Sequence, residues 1–264
     1  MSGTVSPASG YRERNSTADR ALNVLMMFTE TQPVISGNAV AERLGVARST
    51  AYRYLQSLVN SRFLEEAPGG GFRLGLRVLE IARLARRSYG LSEVAVPAMT
   101  ALAEQVRETV LLTRRVGDLV VCVDRAETGT RAVRISYERG STLPLNAGAA
   151  ALVLLAWNPD AETRALLAGS ELRRFTPATL TDLDAIMQRL AEIRQTGYSI
   201  SRAELDLDVL GIYAPIRDET GQVVASVSVA ALASRVTPEQ EPEVVQRLLA
   251  TARTISDRLA AVAG

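Results

Sequence analysis

Apolar residues along the first ninety positions recur at helical spacing in blocks separated by turn formers. Ser16-Thr17-Ala18-Asp19 offers an N-cap with an acid three residues on. Leu22, Leu25, Met26 and Thr29 follow, predicting an amphipathic helix over about 17–30. After Pro33, Ser36 can cap a short helix carrying Ala39, Val40 and Leu44, and Gly45 can close it in the left-handed conformation. Val46 begins a tight turn. From Ala47 to about Asn60 a third helix puts Ala51, Leu55 and Leu58 on one face and Arg48, Ser49, Tyr52, Arg53 and Gln56 on the other. Two short helices joined so tightly have helix-turn-helix spacing. Phe63-Leu64-Glu65 and Phe72-Arg73-Leu74 then alternate around Ala67-Pro68-Gly69-Gly70-Gly71, the composition of a hairpin wing. Leu76, Leu79, Ile81, Ala82 and Leu84 form a stripe beside Arg77, Arg83, Arg86 and Arg87, a helix in need of a partner surface.

Beyond Gly90 the period changes. Residues 91–106 read as a helix. Strands are predicted at Val110–Arg114, Leu119–Asp124 and Ala132–Ser136, with turns at Gly117-Asp118 and Thr128-Gly129. Helices at about 147–157, 160–168, 181–195 and 238–262 frame two more strands, 209–216 and 222–231. Consecutive strands with tight turns imply an antiparallel sheet, so the fold class is α+β.

Charge sharpens the division. Residues 1–90 hold 12 arginines against 7 acids, net +5, and residues 91–264 hold 18 against 22, net −4. A basic head on an acidic body suits a polyanion partner. Every basic residue is Arg, a bias we attribute to a GC-rich genome. No apolar run is long enough for a membrane span, and the polar start lacks a signal-peptide core, so a cytoplasmic protein is expected. Cys122, the lone cysteine, sits in the alternating run 120–123 and reads as packing. The chain has no histidine, which removes Ser-His and Cys-His pairs and His-containing metal sites. Asp206 and Asp208 fit one face of a strand or a solvated loop, and no phosphate-cradling glycine motif occurs. Neither an enzyme nor a cofactor is expected.

The exposed face of the third helix is the candidate DNA reader. Arg48 and Arg53 can offer guanidinium forks to guanine or phosphate, while Ser49, Thr50 and Tyr52 can donate to phosphate oxygens. Any one of these could equally belong to a solvated face; together, after the turn, they favour DNA. Arg73, just beyond the wing tip, fits either a phosphate contact or an exposed strand arginine.

These residues resemble the IclR family of regulators. The likeness runs through Ala18-Asp19-Arg20-Ala21-Leu22, residues 40–46, residues 48–55 and Phe72-Arg73-Leu74-Gly75. It continues through Pro144-Leu145-Asn146-Ala147, residues 193–198, residues 211–216 and residues 221–229, and covers roughly 16–262. The resemblance implies an N-terminal winged helix-turn-helix (16–76) after a disordered arm (1–15), a dimerisation helix (77–90) and a C-terminal GAF-like antiparallel sheet domain (91–264) that binds an effector. It implies operator DNA and a second copy, as a homodimer or dimer of dimers, as partners. The effector positions it implies are Ala149, Ala150, Ser201, Gly211, Ser228 and Ala230, with Ile135, Leu143 and Val209 as an apolar wall. Asn146 stands where the family usually has histidine, and Ala151-Leu152 where it has Gly-Lys. Fewer polar anchors argue against a tiny oxo-acid and for a carboxylate on a larger apolar body, since Ser228 and backbone amides at 149 and 150 can bind an anion. The expectation is an effector-controlled regulator, most simply a repressor. The alternative is a sensor or interaction module that does not itself contact DNA.

Overall fold

The computed structural model describes residues 17–88, 90–117, 119–127 and 137–263. The chain divides into two compact units, one up to Ala85 and one from Arg86. The expected N-terminal arm, the strand at Ala132–Ser136 and the turn at Thr128-Gly129 lie outside the described residues.

The first unit contains α1 (Thr17–Leu25), α2 (Gly37–Leu44), α3 (Arg48–Asn60), β1 (Leu64–Glu66) and β2 (Phe72–Leu74). α4 (Arg77–Ser88) begins in it. The α2–α3 junction follows from its residues. The Ser36 side chain accepts from the Ala39 amide, and Gly45 takes φ 63°, which lets the Val46 amide reach the Ala41 carbonyl at 3.0 Å. β1 and β2 pair antiparallel, and Ile35 bridges Phe72 from the far side, so the wing is tied to the segment before α2. Val24, Ile35, Val40, Leu55, Leu58, Leu64 and Phe72 close the core.

α1 is shorter than its hydrophobic pattern predicts. It ends at Leu25, and Thr29 and Gln32 form a tight antiparallel bridge in which the Thr29 hydroxyl accepts from the Gln32 amide. A threonine that bonds nearby backbone offers the chain an alternative to the helix. The inward residue of α1 is Val24, while Leu22 and Met26 stay exposed.

The second unit is built on a six-stranded antiparallel sheet in the order β5-β4-β3-β8-β7-β6. Its strands are β3 (Thr109–Val116), β4 (Leu119–Ala126), β5 (Thr142–Leu143), β6 (Ser199–Arg202), β7 (Val209–Arg217) and β8 (Val223–Leu232). Its helices are α5 (Leu91–Val106), α6 (Ala150–Leu155), α7 (Asp160–Ala168), α8 (Leu183–Thr196) and α9 (Glu241–Ala263). α5 and α9 cover one sheet face through Met99, Leu102, Leu248 and Ile255, which meet Leu112, Ile212, Val227 and Val229. α6 and α8 cover the other, where Leu152, Leu155, Ile186 and Leu190 join Leu111, Cys122, Tyr213 and Ala230. β8 alternates between the two faces. Val223 departs from that alternation: it packs on the α6 side, because the register shifts between Ile216 and Arg217. Among the described residues, no helix is long and apolar enough to cross a membrane, and no group of metal-ligating side chains is placed to hold an ion.

Candidate nucleic-acid interface and ligand-facing sheet

α3 buries Ala51, Tyr54, Leu55 and Leu58 and leaves Arg48, Ser49, Tyr52 and Arg53 exposed, with Thr50 half-buried. Four predicted side chains thus share an outward face on a helix whose other side is anchored in the core. Arg48 opens the helix and donates through Nε to the Asn38 Oδ1 at 2.5 Å, so α2 helps to aim it. Tyr52 is 44% exposed, yet its ring packs on α2 and β2. It lies edge-on to Phe72 with centroids 6.2 Å apart, and a Cβ at Gly37 would come within 2.6 Å of it. Tyr52 therefore ties the start of α2 to the wing as well as facing outward. On the wing, Arg73 pairs with Glu65 at 2.7 Å directly across the hairpin. That half-exposed pair is neutral as it stands, on a hairpin that Gly70 and Gly71, at φ 88° and 84°, turn back on itself.

In the second unit the sheet face beneath α6 gathers residues from distant points of the sequence. Ser201 on β6 lies opposite Gly211 on β7, which lies opposite Ala230 on β8, forming one cross-strand row. Ser228 lies one row along, opposite both Tyr213 and Leu111. It is 1% exposed, and its hydroxyl has no hydrogen-bonding partner among the described residues. Leu143, Ala149, Ala150 and Ala230 belong to the same apolar cluster, and Val209 begins β7 half-buried. Ile135 lies outside the described residues.

Ala149 takes a left-handed φ of 42°, α6 has only six residues, and the Ala150 amide turns back toward the Gly148 carbonyl. Asn146 does structural work here: its Nδ2 donates to the carbonyls of Arg173 and Leu180, fastening the 173–180 loop over this end of the sheet.

Two residues of this region went unmarked in the sequence pattern. Tyr213 folds its ring over Gly211, whose missing Cβ makes room for it; a Cβ there would meet the Tyr213 hydroxyl at 2.4 Å. Burial raises its phenol pKa, with Tyr137, Glu204 and Asp206 adding to the effect. A glycine two residues before an aromatic on one strand is the signal that could have found it. Glu204 is buried beside Arg189, the Ser201 hydroxyl and the Gly148 amide, and burial outweighs these partners to raise its carboxyl pKa. Nothing in the alternation of residues 202–208 announces it. Cys122 is buried, and its thiol pKa is pushed up to about 11, as suits a packed, unreactive sulfur.

Comparison with known proteins agrees across both units. The family described as "Bacterial transcriptional regulator IclR C-terminal" matches residues 84–257, and "IclR helix-turn-helix domain" matches residues 17–68. The HTH-type transcriptional regulator KipR of Bacillus subtilis is 29% identical over 94% of this chain and 98% of its own. The HTH-type transcriptional repressor AllR of Klebsiella pneumoniae is 30% identical over 91% of this chain and 89% of its own. An IclR homolog from Microbacterium hydrocarbonoxydans, crystallised with 4-hydroxybenzoate, superposes with a TM-score of 0.80 at 29% identity, over 93% of this chain and 100% of that one.

Proposed function

Because the chain belongs to the IclR family of bacterial helix-turn-helix transcriptional regulators, we propose that it is an effector-controlled repressor that reads its operator with α3. The exposed row Arg48, Ser49, Tyr52 and Arg53, on a helix anchored by its opposite face, is the observation that carries this reading. A helix of this kind fits the major groove, where arginine forks recognise guanine and phosphate. Arg73 on the wing supplies a further phosphate contact by exchanging its pairing with Glu65. We assign DNA reading to residues 16–76, dimerisation to 77–90 and effector binding to 91–264. The relatives named repressors support the sign.

The effector in this reading is a carboxylate on an apolar body. The homolog bound to 4-hydroxybenzoate supports that class, and so does the pairing of the unpartnered Ser228 hydroxyl with the apolar Leu143, Ala150, Val209 and Ala230. Ile135 completes the proposed apolar wall. Gly211 and Ser201 border the row, and Ala149 offers its backbone. The active species is a homodimer or dimer of dimers. Leu76, Leu79 and Leu84 are more than half exposed on or beside α4, and a second copy would cover them.

A gel shift with DNA from upstream of the chain's own gene, over a range of salt, tests the reading. Specific retention that weakens steeply with salt is expected, and equal affinity for unrelated DNA would refute it. Ser228→Phe should keep operator binding and lose the response to effector, and a normal response in that variant would remove Ser228 from the site.

A further inference from the structure

A groove of about 470 Å³ runs between α8 and the edge strand β6 and is lined in part by Glu204, which also touches the Gly148 turn. Its polar lining exceeds what the fold needs. Ser199 and Glu204 are each more than nine-tenths buried, and the Ser199 hydroxyl and Glu204 Oε2 have no hydrogen-bonding partner among the described residues. Polar atoms left in that state carry their whole desolvation cost until something binds them.

Arg189, reaching in from α8, satisfies Glu204 only loosely. Its guanidinium stands 3.5 Å from Glu204 Oε1 and 3.5 Å from Glu192 Oε2, and it donates to the Ile200 carbonyl at 3.1 Å. Well-formed charged hydrogen bonds are shorter, at about 2.7–2.9 Å. Arg202, also on the groove, is engaged with Glu241. The remaining wall is apolar, from Ile193, Ile200 and the Tyr198 ring.

With Arg202 paired to Glu241, Arg189 stands between Glu192 and Glu204, so a bare anion would meet net repulsion and a bare cation would displace Arg189 from its carboxylates and leave it unpaired. A molecule with both charges on neighbouring carbons matches a carboxylate and a guanidinium that lie 3.5 Å apart. We propose that this groove binds a small zwitterion of the α-amino-acid type. Its ammonium group donates to Glu204 Oε2 and the Ser199 hydroxyl, its carboxylate accepts from Arg189, and an aliphatic side chain lies on Ile193 and Tyr198. The groove opens at the β6 edge of the same sheet face, with Tyr213 standing between Ser199 and Ser228 in one cross-strand row, and the proposal does not depend on what binds at Ser228.

The test uses the full-length chain. The proteinogenic amino acids are screened by thermal shift at millimolar concentration, and hits are measured by calorimetry beside the matched des-amino acid and decarboxylated amine. At least one amino acid binds saturably, and each analogue binds about tenfold more weakly or worse, the scale of one lost charged hydrogen bond. Glu204→Gln weakens binding by a similar factor. Ser199→Ala, which removes a buried unpartnered hydroxyl at little risk to the fold, also weakens it. Absence of saturable binding by any amino acid overturns the proposal. So does an analogue that binds as well as its parent, or wild-type affinity in both variants. Binding that survives both substitutions but is abolished by Ser228→Phe would put the ligand beside Ser228, overturning the groove site while leaving the effector reading intact.

Discussion

Gly37 and Tyr52 are fifteen positions apart in sequence and in contact in the fold, and their contact sets two effects against each other. In Gly37→Ala the helix gains up to about 1 kcal/mol of propensity. The new Cβ, 2.6 Å from the ring, pushes the half-exposed Tyr52 away from Phe72 and forfeits an edge-to-face contact of about 0.5–1.5 kcal/mol. Thermal stability should therefore change by less than about 1 kcal/mol, while operator affinity falls because Tyr52 has left its place. Unchanged DNA binding with a large loss of stability would contradict that account. Glu204 provides a pH test. Its folded pKa lies above the unfolded value near 4.5, since burial outweighs Arg189, Ser201 and the Gly148 amide. Stability tied to its proton is complete below that value and drains away as pH rises through the folded pKa. Glu204→Gln should thus melt above the wild type at neutral pH, with the gap closing near pH 4; a wild type that is the more stable at neutral pH would reverse the sign. The buried face of Ser228 follows from the alternation of its strand, whereas the burial of Glu204 does not, since it comes from three segments converging on an irregular loop.

At the scale of elements, the sequence is most legible where one period persists. Ser36, Gly45 and the Ala51-Leu55-Leu58 stripe define α2 and α3 because each cap and apolar position acts locally. β6 escaped notice because Ser199-Ile200-Ser201-Arg202 is hydroxyl-rich and short, and pairing with β7 alone makes it a strand. α6 is shorter than its apolar run suggests because Gly148 and Ala149 take left-handed conformations before it. α4 carries the clearest prediction. Leu79 and Leu84 are 66% and 53% exposed in the single chain, so their burial needs a second copy. Leu79→Glu with Leu84→Glu should lower the oligomer mass seen by light scattering and weaken operator binding. An unchanged mass would remove α4 from the interface.

For the whole molecule, the sign of charge and the period of the pattern both change near residue 90, and the chain divides into units between Ala85 and Arg86. That division falls inside α4, and each unit closes its own apolar core, from Val24 to Phe72 in the first and on both faces of the sheet in the second. The proposed effector row was less legible, because Ser201, Gly211 and Ala230 become neighbours only through strand register, and their assignment rested on resemblance. The central claim is that α3 reads DNA. Fluorescence anisotropy of labelled operator with Arg48→Ala and Arg53→Ala tests it most directly, with oligomer mass and melting temperature measured in parallel. The account predicts that each variant folds and assembles as the wild type does and loses about 1–3 kcal/mol of specific affinity, and wild-type affinity in both would contradict it.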